Sequence, residues 1–135
     1  MTQITNSSKL VRQKTPTLLL DLHDNLIRIH RNTLSLLGNP AYIQFLINPD
    51  LYIIGIKHCK EDDYYSERIR WNILNDKNKS CEFHSKVLIK NIRNAFFNTT
   101  DNNKYCILGK YIDTENLTIF DLTTCIKLIE GEEAR

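Results

Sequence analysis

The chain has 135 residues, 41% of them apolar and 25% charged, and its 18 Lys and Arg against 16 Asp and Glu leave a formal charge of +2. That is length for one domain, or for one domain built from two small halves, and the composition excludes disordered, collagen-like and fibrous classes. So small a net charge supplies no whole-molecule field for a polyanion, and four Gly and three Pro disfavour Gly-rich phosphate cradles.

Met1–Pro16 is polar, lacks the apolar core of a secretion signal, and reads as a flexible arm. No apolar run approaches the ~18–20 residues that cross a bilayer. Cys59, Cys81, Cys106 and Cys125 are too sparse for a disulfide scaffold, so reduced thiols and a cytoplasmic setting are expected, with Cys106 and Cys125 in the core. Abundant Ile, Asn and Lys point to an AT-rich bacterial or phage genome.

The domain is expected over residues 17–129, beginning at Thr17–Leu22 with a short strand or a helical turn. Leu26–His30 is β-branched and extended, and Arg31–Leu37 is a short helix stopped by Gly38. Tyr42–Ile47 and Tyr52–Lys57 form a hairpin around Asn48-Pro49-Asp50-Leu51. Glu61-Asp62-Asp63 suits a helix start, because carboxylates favour a helix N-terminus. Arg68–Ile73 alternates, with Ile69, Trp71 and Ile73 on one side, and predicts a strand before a polar loop at Asn75–Ser80.

From Cys81 the order returns. Cys81–His84 is a strand, and Ser85 caps a helix over Lys86–Phe97 with an apolar stripe of Val87, Leu88, Ile92, Ala95 and Phe96, interrupted by Asn91. Tyr105–Ile112 and Leu117–Leu122 form a second hairpin around Asp113–Asn116, and Glu130–Arg135 is an acidic tail. His30-x-x-x-Leu34 matches His84-x-x-x-Leu88, and Tyr42 matches Tyr105. The expected architecture is therefore α+β, a small antiparallel β-barrel-like domain from two strand-helix-hairpin halves, residues 24–58 and 80–124, arranged as a pseudo-dimer. Its core should include Ile27, Ile29, Leu34, Leu37, Ile43, Phe45, Ile53, Ile69, Trp71, Phe83, Leu88, Ile92, Ile107, Leu117, Ile119 and Phe120.

Leu26-Ile27-Arg28-Ile29-His30-Arg31-Asn32-Thr33-Leu34-Ser35-Leu36-Leu37-Gly38, followed by Tyr42–Lys57, resembles the swapped-hairpin modules of AbrB-like transition-state regulators, with a fainter echo over Cys81–Leu122. The resemblance implies modules that pair into a DNA-binding barrel, here within one chain. Two features depart from it: Asp24-Asn25 stands near the family's Gly-Arg, and Ile29-His30 replaces its Pro before the helix.

His58-Cys59 and Cys81-x-x-His84 have the residue types of a zinc site, but neighbouring strand residues point to opposite faces, so no metal or other cofactor is expected. His23-Asp24 lacks a second carboxylate or His partner, and Cys81 with His84 lacks an oxyanion loop, so a non-catalytic protein is expected. DNA binding is the first reading. Arg28 and Arg31 sit at the first strand-helix junction, Lys86, Lys90 and Arg93 make one stripe at i, i+4, i+7, and Arg68 and Arg70 share a strand face. The alternative is a protein-interaction module that antagonises a host or phage protein, such as a defence-system inhibitor, through exposed aromatics including Tyr64 and Tyr65. A homodimer fits either reading, and a membrane partner fits neither.

Overall fold

The computed structural model describes residues 15–74 and 80–129. Most of the N-terminal arm, most of the polar loop before Ser80 and the acidic tail lie outside them. The described residues form β1 (Thr17–Asp21), β2 (Leu26–His30), α1 (Arg31–Leu36), β3 (Tyr42–Asn48), β4 (Ile53–His58) and β5 (Ser66–Arg68). After these come β6 (Ser80–His84), α2 (Lys86–Phe96), β7 (Lys104–Ile112), β8 (Leu117–Asp121), a 3-10 turn (Leu122–Thr124) and β9 (Ile126–Leu128).

Each helix starts where its cap residue stands. The His30 imidazole Nδ1 accepts from the Asn32 amide at 3.1 Å, and the Ser85 hydroxyl accepts from the Leu88 amide at 3.1 Å, satisfying amides that a first turn leaves unpaired. α1 ends before Gly38, whose φ of +94° is open to glycine at little cost.

The strands pair antiparallel in the order β5-β3-β4-β8-β7-β1-β2-β6 and curl into a nearly closed barrel. Among the described residues, β5 and β6 share no ladder, so the barrel has one unpaired joint. β9 continues along the same edge of β7 as β8, after a register jump of three residues that the three-residue turn at Leu122–Thr124 supplies. Leu18, Leu20, Ile27, Ile29, Ile43, Phe45, Ile54, Ile56, Ile107 and Phe120 fill the interior. Each such fully buried side chain contributes about 1.5–3 kcal/mol relative to exposure.

The two hairpins share one register. A shift of 64 residues carries the pair Phe45↔Ile56 to Gly109↔Phe120, and Asn48↔Ile53 to Ile112↔Leu117. The same shift relates Tyr52 to Asn116, which close the two hairpin turns with φ of +58° and +47°. It also leaves the β4–β8 ladder unchanged about the pair Gly55↔Ile119. Around the other side, β2 and β6 pair symmetrically about Arg28↔Glu82, from Leu26↔His84 at one end to His30↔Ser80 at the other. Tyr42 and Tyr105 are not equivalent under this shift: it carries Tyr42 to Cys106, one residue after Tyr105.

Several expectations need correction. Glu61-Asp62-Asp63 starts no helix, because the Asp63 carboxylate accepts from the Lys60 amide at 2.9 Å and closes a local turn instead. The strand predicted over Arg68–Ile73 stops at Arg68. There the Ile69 amide donates to the Ala41 carbonyl at 2.9 Å and Trp71 Nε1 to the Pro40 carbonyl at 2.8 Å, so Ile69 is buried and Trp71 half-buried, while Ile73 is exposed after the turn.

On α2 the buried arc is Leu88, Ile89, Ile92 and Phe96, and Val87 points away from it at 67% exposure. Period two decides the rest. On β4 the buried residues are Ile54 and Ile56, and on β8 Thr118 and Phe120, so Ile53, Leu117 and Ile119 lie half-buried on the outer face. Cys106 and Cys125 are half-buried, outside the core proper.

Candidate partner-binding surface

α2 lies along the barrel with Phe96 against Tyr52 (ring centroids 5.4 Å apart) and Phe97 stacked on Tyr105 (4.5 Å). Arg93 fixes it there. Its Nη2 donates to the Leu22 carbonyl at 2.6 Å and its Nε to the Asp101 carbonyl at 2.9 Å, tying α2 to the β1–β2 turn and to the loop before β7. The third residue of the predicted basic stripe is therefore a structural clamp as well as a cation. Lys86 and Lys90 of the same helix are exposed and carry no carboxylate partner among the described residues.

The other basic junction runs from the centre of the β2–β6 ladder, at Arg28, to its opposite end, where Arg31 follows His30. Arg28 Nε and Nη2 reach the same Glu82 carboxylate oxygen at 2.8 and 2.7 Å. Arg31 opens α1 and is half-buried. Because β2 and β6 run antiparallel, Arg31 and Lys86 follow opposite ends of a ladder about 13 Å long and do not form one patch. Arg68 and Arg70 are both exposed and without a carboxylate partner among the described residues. Arg70 stands near enough to Cys81 for its charge to favour the thiolate, yet burial outweighs it and pushes that thiol up to about 11.

A contact absent from the sequence reading joins two of the predicted features. Asn91 of α2 donates a hydrogen bond from its side-chain amide to the Tyr65 hydroxyl in the β4–β5 loop. The Tyr64 ring leans on Tyr65 with centroids 4.3 Å apart and is itself 75% exposed. Val87 lies one helical turn before Asn91 on the same face, and Lys90 and Lys86 flank it. The result is a continuous surface of Tyr64, Tyr65, Asn91, Val87, Lys90 and Lys86. Its sequence signal was the polar Asn91 inside an otherwise apolar stripe. Burial raises the Tyr65 phenol above its ordinary value, with Tyr64 adding to the shift, so Tyr65 stays neutral across the physiological range.

Among the described residues no three His, Cys, Asp or Glu side chains gather as metal ligands. Strand parity accounts for the failed zinc pattern: Cys81 is buried in the barrel while His84 is exposed on the opposite face of β6. His23 and Asp24 form an exposed pair at 2.9 Å, and no described helix is long and apolar enough to cross a membrane.

No protein family, curated protein or solved structure matches this chain.

Proposed function

We propose that this is a non-catalytic binding protein that meets a partner protein through the α2–Tyr64 surface. The observation that carries the reading is the Asn91–Tyr65 hydrogen bond, which joins an exposed aromatic pair to an exposed Val and two Lys. Aromatic anchors held rigid at low entropy cost dominate protein interfaces. Glu61, Asp62 and Asp63 precede Tyr64 in the same loop, and their negative charge opposes a polyanion at that end. In the bacterial or phage setting the composition suggests, such a small binder would inhibit or antagonise a host or phage protein.

The test is affinity capture from nuclease-treated bacterial lysate with the native chain, Tyr64→Ser and Val87→Ser. A specific partner lost from both variants, and held when salt is raised, supports the reading. A partner retained by both variants rejects it.

The second reading is a DNA-binding regulator, favoured by the four exposed cations Lys86, Lys90, Arg68 and Arg70, none with a carboxylate partner among the described residues. The AbrB-like resemblance belongs with it. We infer further that the halves are a fused pseudo-dimer, which the common 64-residue shift of the two hairpins supports. Under this arrangement Glu82 stands where a symmetric pair would have a second Arg28, so the shared face is an ion pair and not a doubled cation. That asymmetry is why DNA ranks second. Replacing Lys86 and Lys90 by Ala should reduce the slope of log affinity against log salt by roughly 2 if DNA is bound there.

A further inference from the structure

Among the described residues, the non-glycine positions with positive φ are Asn25, Asn39, Tyr52, Tyr65 and Asn116. Asn enters the left-handed region readily, because its short polar side chain bonds locally, whereas a Tyr there is a true outlier. Both tyrosines meet the same helix. The Tyr52 ring lies against Phe96 of α2, and the Tyr65 hydroxyl accepts from the Asn91 side chain.

The two are held to different degrees. Tyr52, at φ +58°, closes the turn between β3 and β4, its carbonyl accepts from the Leu122 amide at 2.8 Å, and β4 then pairs on both sides. Tyr65, at φ +56°, is followed by β5, which has three residues and among the described residues pairs with β3 alone. Local bonds close the loop around it, from the Asp63 amide to the Lys60 carbonyl at 3.1 Å and from the Ser66 amide to the Asp63 carbonyl at 3.2 Å. Asn91 supplies the hydrogen bond that reaches this loop from α2. The strain of one left-handed Tyr and the net worth of one neutral hydrogen bond are of the same order, so loss of that bond tips the balance.

We propose that the β4–β5 loop is a two-state latch: Asn91 holds Tyr65 in its left-handed conformation, and on release Tyr65 relaxes and carries Tyr64 off the α2 surface. Tyr64 follows because its ring leans on that of Tyr65, with centroids 4.3 Å apart. The latch stands on backbone geometry and hydrogen bonding alone. Its consequence, that the latched fraction scales the apparent affinity for a partner, rests on the α2–Tyr64 reading of function. A partner that grips Tyr64 in its latched place would in turn shift the loop toward that state.

Amide hydrogen exchange of the full chain, read residue by residue by NMR, tests the latch without a partner. Tyr65→Phe keeps the ring and removes the acceptor, and Asn91→Leu removes the donor. Each should speed exchange at Asp63 and Ser66 about tenfold, with the amides of β4 and β8 unchanged. Adding Tyr65→Gly to Asn91→Leu should bring Ser66 back to within about threefold of its native rate, because glycine takes a positive φ without strain. Unchanged exchange at Asp63 and Ser66 in Tyr65→Phe overturns the proposal, and this arm stands even if Asn91→Leu fails to fold. So does acceleration shared equally by β4 and β8, a glycine that speeds exchange further, or a native chain that leaves both loop amides unprotected. Capture of a partner by the native chain and its loss with Tyr64→Ser are read separately from these rates, so either proposal can fail without the other.

Discussion

Arg28 and Glu82 face each other at the centre of the β2–β6 ladder, the guanidinium Nε and Nη2 both on one carboxylate oxygen. The pair is partly exposed, so its net contribution to stability is about 0.2–1 kcal/mol. Its larger effect is on charge, because the guanidinium of the first basic junction is already paired with a carboxylate. Glu82→Gln should lower stability by less than about 1 kcal/mol in urea denaturation. The same variant discriminates between the readings: tighter, more salt-dependent DNA binding would favour the regulator, and unaltered binding of a protein partner the α2–Tyr64 surface.

Gly109 faces Phe120 across the β7–β8 ladder, and a Cβ built on it would lie 2.4 Å from Phe120 Cε1 and 2.9 Å from the Ile119 carbonyl. The Phe120 ring is fully buried and cannot swing away. Gly109→Ala should cost about 1–3 kcal/mol, measured by urea denaturation, and Phe120→Leu should partly rescue it. Gly55→Ala meets only side-chain atoms on an outer face, the tightest at 3.2 Å, and should cost clearly less.

Arg93→Ala leaves the Leu22 and Asp101 carbonyls without their charged donor. A loss of about 1.5–3 kcal/mol is expected, the range of a hydrogen bond from a charged group. Amide hydrogen exchange should quicken at the C-terminal end of α2 and in the β1–β2 turn before it does in β4 and β8. Uniform acceleration throughout the barrel would reject the clamp assignment.

Tyr105 and Asp101 make stability depend on pH at both ends of the range. Burial, and then the hydrogen bond its hydroxyl donates to Asp101 at 2.6 Å, push the Tyr105 phenol up to about 12. The folded state holds that proton more tightly than the unfolded chain. Its stabilisation is thus complete below about pH 10, the unfolded phenol value, and lost as pH rises through about 12. For Asp101, burial acts upward but the donors Tyr105 and Asn103 outweigh it and hold the carboxyl below its ordinary value. That contribution is present above about pH 4 and is lost as pH falls through the lowered folded value. Tyr105→Phe should flatten the alkaline fall in melting temperature, and Asp101→Asn the acid one.

Much of the element order was legible because it rests on local chemistry. Gly38 could end α1 because its backbone takes a positive φ freely, and Ser85 could start α2 because its hydroxyl reaches the Leu88 amide. β2 and the two hairpins were readable as β-branched runs between turn residues. The Arg68–Ile73 alternation misled, since its backbone partners are Ala41 and a turn at Arg70, neither visible in the pattern. The candidate surface was half legible. Tyr64, Tyr65, Lys86 and Lys90 stood out as residue types, but Val87 was read as part of the apolar stripe of the helix and Asn91 passed as an interruption.

The 135 residues and charge of +2 determined a small α+β domain with two strand-helix-hairpin runs, because composition, turn chemistry and period are local properties. Which face of β4 and β8 turns inward was decided only by the ladder register, since a one-residue slip exchanges Ile53 and Leu117 for Ile54 and Thr118. The union of Tyr65 with Asn91, 26 residues apart, and of Arg28 with Glu82, 54 apart, was likewise decided by tertiary structure. Such partners are chosen by how the whole barrel closes, and no short stretch of sequence contains that information.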